Sequence, residues 1–111
     1  MGQSEIEVVL YRRDDGFEPV TDWLASVRDK RAAARMRIRM YRLTQGLFGD
    51  VRPVGGGILE LREDVGPGYR LYVARHSTAL VVLLCAGSKQ TQAADIQLAQ
   101  VYWTEWKRSN A

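Results

Sequence analysis

A chain of 111 residues and 12.6 kDa has room for one compact domain, 1–111, since domains commonly hold about 100 to 200 residues. Hydrophobic residues at 46%, charged residues at 26% and only three prolines exclude a mainly disordered or linker-like chain, and the lone cysteine, Cys85, excludes an intramolecular disulfide or a multi-cysteine zinc centre. The formal net charge of +3 is unevenly spread: Arg28, Lys30, Arg31, Arg35, Arg37, Arg39 and Arg42 against Asp29 make one segment +6 and leave the remainder at −3.

Ile6, Val8 and Leu10 alternate with Glu5, Glu7 and Val9, which predicts a first strand ending at Arg12. Asp14-Asp15-Gly16 turns the chain. Phe17, Val20, Trp23, Leu24 and Val27 then recur at helical spacing, with Pro19 tolerated in the first turn. From about Arg31 to Gln45 the pattern is again helical: Met36, Met40, Leu43 and Leu47 mark one face, arginines cover the other, and Gly46 supplies the stop. Gly49 to Gly57 reads as turn-rich.

Ile58-Leu59-Glu60-Leu61-Arg62-Glu63 predicts a strand with Leu59 and Leu61 on one side and Glu60 and Arg62 on the other. After Gly66-Pro67-Gly68, the strand Tyr69 to Ala74 places Arg70 and Tyr72 opposite Tyr69, Leu71 and Val73. His76-Ser77-Thr78 sits at an expected hairpin tip. Leu80 to Cys85 is an apolar run suited to a central strand. Thr91 is placed to cap a last helix whose apolar stripe is Ile96, Ala99 and either Tyr102 or Trp103. The order β-α-α-β-β-β-α predicts an α+β fold: a small, twisted, mainly antiparallel four-stranded sheet with two N-terminal helices packed on it and a C-terminal helix.

If the leucine side packs on the helices, Arg62, Arg70 and Tyr72 share an uncovered face. Two permanent cations brought together favour a bridging anion, and guanidinium forks match phosphate oxygens. Lys89 leaves the central strand toward the same place, Tyr72 offers a ring for stacking a base, and His76 is the sole imidazole. The alternative is structural: Arg62 pairs with Glu60 or Glu63, Arg70 covers a sheet face and Tyr72 is half-buried. The carboxylates Glu63, Asp64 and Asp95 lack metal-ligand spacing, so no metal and no cofactor is expected. Arg31, Arg35, Arg39 and Arg42 form a cationic helix face for a polyanion or an acidic protein. The longest apolar stretch, Ala79 to Ala86, is far short of the ~20 residues of a membrane helix, and the acidic start does not read as a signal peptide, so a soluble cytoplasmic protein without membrane contact is expected.

Taken together, Glu60-Leu61-Arg62, Gly66-Pro67-Gly68-Tyr69-Arg70-Leu71-Tyr72, and Leu83 to Lys89 followed by Gln92, Asp95-Ile96, Ala99 and Tyr102-Trp103 form a recognisable pattern. With Gly46, Gly49-Asp50 and Val54-Gly55, they make the chain from Phe17 to Trp103 resemble the phage-derived, Gp49-like or HigB-like addiction-module killer proteins of the RelE/ParE toxin superfamily. The resemblance implies a toxin of a type II toxin-antitoxin pair that acts as an endoribonuclease on messenger RNA in the ribosome, through metal-free attack of the ribose 2′-hydroxyl on the adjacent phosphate. Its implied partners are the ribosome, messenger RNA and a cognate helix-turn-helix antitoxin, as a homodimer or a heterotetramer with that antitoxin. Arg62 and Arg70 match the family's sheet arginines and Lys89 its loop lysine, for phosphate contact or proton transfer; Tyr72 and Tyr102 are the tyrosines that could serve beside them. Ala86 stands in place of a usual glycine, and Leu47 where the subgroup often has asparagine. The superfamily also implies two other readings, a ParE-like gyrase-inhibiting toxin and an inactive corepressor that only binds antitoxin.

Overall fold

The computed structural model describes residues 5–111 as an α+β protein: a five-stranded mixed sheet with helices on both faces. Its elements are β1 (Glu7–Leu10), α1 (Pro19–Ser26), α2 (Lys30–Leu43), β2 (Val51–Gly55), β3 (Ile58–Glu63), β4 (Tyr69–Ser77), β5 (Leu80–Ser88) and, after a 3-10 turn at Lys89–Thr91, α3 (Gln92–Ser109). The sheet order is β1-β5-β4-β3-β2; β1 runs parallel to β5 and every other pair is antiparallel. The expected four strands become five because the stretch read as turn-rich contains the edge strand β2. Pro53 is tolerable on an edge, and the positive φ angles of Gly55, Gly56 and Gly57 form the hairpin that returns to β3.

The first two helices have local reasons to begin where they do. Pro19 occupies the first turn of α1. Asp29 caps α2, its Oδ1 accepting from the backbone N–H groups of Arg31 (2.9 Å) and Ala32 (3.3 Å). At the other end of α2, Gly46 takes φ +77°, and the N–H groups of Gly46 and Leu47 donate to Leu43 O and Arg42 O. This stop leaves Leu47 outside the helix and 58% exposed, so it does not share the core face expected for it with Met36, Met40 and Leu43.

Two apolar layers sandwich the sheet. On one face Leu61, Leu71, Val73, Val81, Leu83 and Ala86 meet Val20 of α1 with Met36 and Leu43 of α2. On the other, Ile58, Tyr72, Ala74, Val82, Leu84 and Cys85 meet Ala99, Tyr102 and Trp103 of α3. A bulge allows consecutive residues of β5 to serve the same layer: Tyr72 pairs with Cys85 and Val73 with Leu83, leaving Leu84 as the extra residue. The Arg70 and Tyr72 face of the sheet is therefore covered by α3 instead of open, which is the main correction to the expected architecture.

Candidate functional site

Strand pairing places the expected arginines side by side. Arg62 of β3 is the direct partner of Arg70 of β4, and Arg70 in turn pairs with Gly87 of β5. One step along the same face stand Glu60, Tyr72 and Cys85, again in register across the three strands. Lys89 is held close by its backbone N–H, which donates to Gly68 O at 2.8 Å. Gly68, with φ +78°, makes that approach feasible: a Cβ there would meet Arg70 Nη1 at 3.3 Å and Lys89 Cβ at 3.7 Å.

The centre of the cluster is Glu60, a residue absent from the expected site. It is wholly buried. Its Oε2 accepts from Tyr72 Oη at 3.0 Å and from Gln92 Nε2 at 2.7 Å. Arg70 Nε lies 3.6 Å from Oε2 and Arg62 Nε 4.0 Å from Oε1, which are charge-pair distances beyond hydrogen-bond length. Among the described residues Glu60 Oε1, Arg62 Nε and Arg70 Nε consequently have no hydrogen-bond partner despite burial. Glu60 thus stands between two guanidiniums without hydrogen-bonding either, which leaves buried polar atoms that a further partner would satisfy. The pairing of Arg62 with Glu60, weighed in the sequence as the structural alternative, is present at this long distance.

The roles open to these residues differ. The Arg62 side chain is 30% exposed and Lys89 is exposed, so both can touch a solute. Arg70 is 3% exposed, which leaves it only its field to offer a solute, and it donates to Gly68 O (3.3 Å). Tyr72 has no accessible surface, because α3 lies over it, and so cannot stack a base as expected. Burial first, and its bond to Glu60 second, push the Tyr72 phenol far above its ordinary range, so it stays protonated as a donor to that carboxylate. Tyr102 is buried in the α3 layer and stacks on Tyr11 at 4.5 Å, a packing role.

Asp95 closes the cluster from the α3 side. Its Oδ2 accepts from Thr91 Oγ1 at 2.6 Å, so the Thr91 hydroxyl serves Asp95 instead of capping the helix backbone as expected. Burial raises the Asp95 carboxyl above its ordinary value, while the Thr91 bond opposes the shift. The Asp95 carbonyl accepts from Cys85 Sγ at 3.4 Å, and burial, reinforced by Asp95, pushes the Cys85 thiol up to about 12.

The remaining expected residues lie elsewhere. His76 is exposed and sits edge-on to Trp106, with centroids 5.0 Å apart, near the far end of β4. It stands six positions along the strand from Arg70, about 20 Å away, so it does not join the arginines. Arg39 was expected on a cationic outer face; it is buried and forks inward, Nη2 donating to Phe48 O (2.9 Å) and Asp50 O (3.2 Å), Nη1 to Arg62 O and to Glu63 Oε1 (3.2 Å). A buried guanidinium needs that many acceptors, and the loop after α2 and the end of β3 supply two each. Arg35 pairs with Glu63 at 3.3 Å, while Arg31 and Arg42 are exposed as expected.

No helix among the described residues is long and apolar enough to cross a membrane. The fold and the cluster define a small α+β domain that carries an arginine-flanked, buried carboxylate at one end of its sheet. No family profile matches the chain. It is 46% identical over 79 residues, covering 71% of this chain and 80% of the relative, to an uncharacterized protein of Haemophilus influenzae, and it belongs to the same family as that protein.

Proposed function

We propose that this protein is a HigB-like toxin with a RelE-like fold, cytoplasmic and paired with a helix-turn-helix antitoxin, that cleaves messenger RNA in the ribosome. The observation that carries this reading is the register of Arg62 with Arg70 beside Lys89, three cations gathered with the carboxylates of Glu60 and Asp95. In the proposed reaction the ribose 2′-oxygen attacks the adjacent phosphorus, the bond to the 5′-oxygen breaks, and a cyclic phosphate and a 5′-hydroxyl result. Arg62 contacts the phosphate, Arg70 lends positive potential from beneath, and Lys89 contacts the phosphate or relays the proton. Tyr72 and Gln92 act indirectly, holding Glu60 and through it the arginines.

Induced expression with mapping of transcript 5′ ends tests the proposal. Growth arrest and cleavage of translated messages are expected from the native chain, and their loss from Arg62→Ala and Lys89→Met, both at accessible side chains. Intact transcripts with a DNA-damage response would overturn the nuclease in favour of gyrase inhibition. Glu60 favours a second reading, because it partly neutralises the arginines from within: a binding-only corepressor. Harmless expression without antitoxin would select it.

A further inference from the structure

The sheet ends on two edges, and the fold treats them differently. The β2 edge is blunted: Pro53 has no N–H to offer, and the ladder with β3 shifts between Pro53 and Gly55. The β1 edge carries no proline, glycine or bulge. Bonds at either end of β1 fix its parity, Glu7 N–H to Ala79 O at 2.7 Å and Tyr11 N–H to Leu83 O at 2.8 Å. The odd-numbered residues therefore bond toward β5, and the N–H and C=O groups of Val8 and Leu10 point outward. Ile6 shares that outward side, but its N–H is taken by Thr44 O at 2.9 Å. Among the described residues no strand pairs with the outer side of β1, and Leu10 is 40% exposed beside it.

Charge along this segment is ordered end to end. Glu5 and Glu7 precede or open the strand, and Arg12 and Arg13 follow it. A copy of the strand laid antiparallel about a two-fold axis at Val9 sets Val8 against Leu10, Glu7 against Tyr11 and Glu5 against Arg13. Arg13 then also stands diagonal to Glu7 on the same face, and no like charges come opposite each other. Within the chain Arg12 pairs with Glu18 (3.0 Å) and Arg13 with Asp15 (2.6 Å), both at the surface, where such pairs exchange at little cost.

We propose that β1 is a self-association edge, through which two copies of the chain join β1 to β1 and run one sheet through both. Any strand could match the hydrogen bonds of Val8 and Leu10. The acid-to-base order selects a second copy, because it is its own complement under antiparallel pairing. The contact is short, so the association is weak and concentration-dependent, at the low end of specific interfaces. Val9 meets its own counterpart on the α3 side of the sheet. None of Arg62, Arg70 and Lys89 lies on β1, so the proposal does not depend on the nuclease reading.

Sedimentation velocity of the full chain, over a concentration series up to the millimolar range, should show a monomer–dimer equilibrium. Val8→Pro deletes an N–H that points away from β5, and Leu10→Lys puts a cation on the edge; each should weaken the dimer at least about tenfold. Glu5→Arg should do the same by facing Arg13 of the second copy, and adding Arg13→Glu should restore association. Facing Val9 residues would stand about 4.5 Å apart in a non-hydrogen-bonded pair, within disulfide reach. Val9→Cys under copper–phenanthroline oxidation should therefore link two chains, whereas Leu98→Cys, exposed on α3, should not. The native chain should give no such band, because Cys85 is buried. Circular dichroism checks folding, and Leu10→Lys, at an exposed side chain, carries the test if Val8→Pro unfolds. A monomer at every concentration would overturn the proposal and leave the edge to a strand of another protein. So would a dimer that ignores Leu10→Lys and Glu5→Arg, or one in which Val9→Cys does not cross-link. A dimer dissolved by Ile38→Asp on α2 would overturn it too, by assigning the contact to another face.

Discussion

Gly87 and Asp95 occupy one shared volume: a side-chain carbon at Gly87 would fall inside the Asp95 carboxylate and 2.7 Å from Thr91 Oγ1. The bare backbone of β5 is what lets the first turn of α3 settle against the sheet, and that turn brings Gln92 onto Glu60. Gly87→Ala should therefore destabilise the protein by about 1–3 kcal/mol, the usual range for forced overpacking. Asp95→Ala in the same background should recover part of this loss. Denaturant unfolding of the two single variants and the double variant checks it; strictly additive losses would mean the two residues do not compete for space.

Glu60→Gln keeps an acceptor for Tyr72 and atoms for Gln92 but removes the charge between two guanidiniums. Breaking a buried ion pair by removing one partner typically destabilises by about 3–5 kcal/mol, and the partial exposure of Arg62 places the expected loss at the low end. High salt should restore some of it by screening the arginine pair. Thermal melts across a chloride series would show this, and an unchanged midpoint at low salt would contradict it.

Arg39→Lys tests a different kind of site. A lysine retains the charge yet cannot reach Phe48 O, Asp50 O, Arg62 O and Glu63 with one flat fork. The loss should be about 2–3 kcal/mol, from buried carbonyls left without donors. Hydrogen exchange should quicken first in the 47–50 loop and at the Arg62-Glu63 end of β3, since Arg39 ties both to α2.

The phenols predict an alkaline signature. Burial, then the bond to Glu105, raises Tyr11 from 10.0 to about 12, and Tyr72 is raised further still. A pKa higher in the folded than the unfolded chain gives stability that is complete below the ordinary value and is lost as pH rises through the folded one. Of the five tyrosines, two should thus stay protonated well past pH 10 in the native protein and ionise normally in denaturant. Ultraviolet titration of phenolate absorbance measures both curves.

Much of this arrangement was legible in the residues. The strict alternation of β3 and β4 already put Arg62, Arg70 and Tyr72 on one face, and the glycine turn between them fixed the register. The same parity placed Glu60 there, but alternation states which face a side chain takes and not how deeply it is covered. That depth is set by α3, whose docking depends on the absent side chain of Gly87 and on the β5 bulge at Leu84, neither of which leaves a periodic trace. Edge strand β2 was hidden for the opposite reason: Pro53 and the triple glycine after it signal a turn strongly, and only pairing with β3 makes the preceding residues a strand. Arg39 looked like its exposed neighbours because charge says nothing about whether a loop will fold over it.

The parallel pairing of β1 with β5 carries a last consequence. It joins Glu7 to Leu80, so the first strand waits for nearly the whole chain before it finds its neighbour. Local helices can form early, but a sheet of this connectivity closes late and slowly. Lys89 and Gln92 follow β5 in the chain, so the cluster around Glu60 is completed only once β5 has joined the sheet.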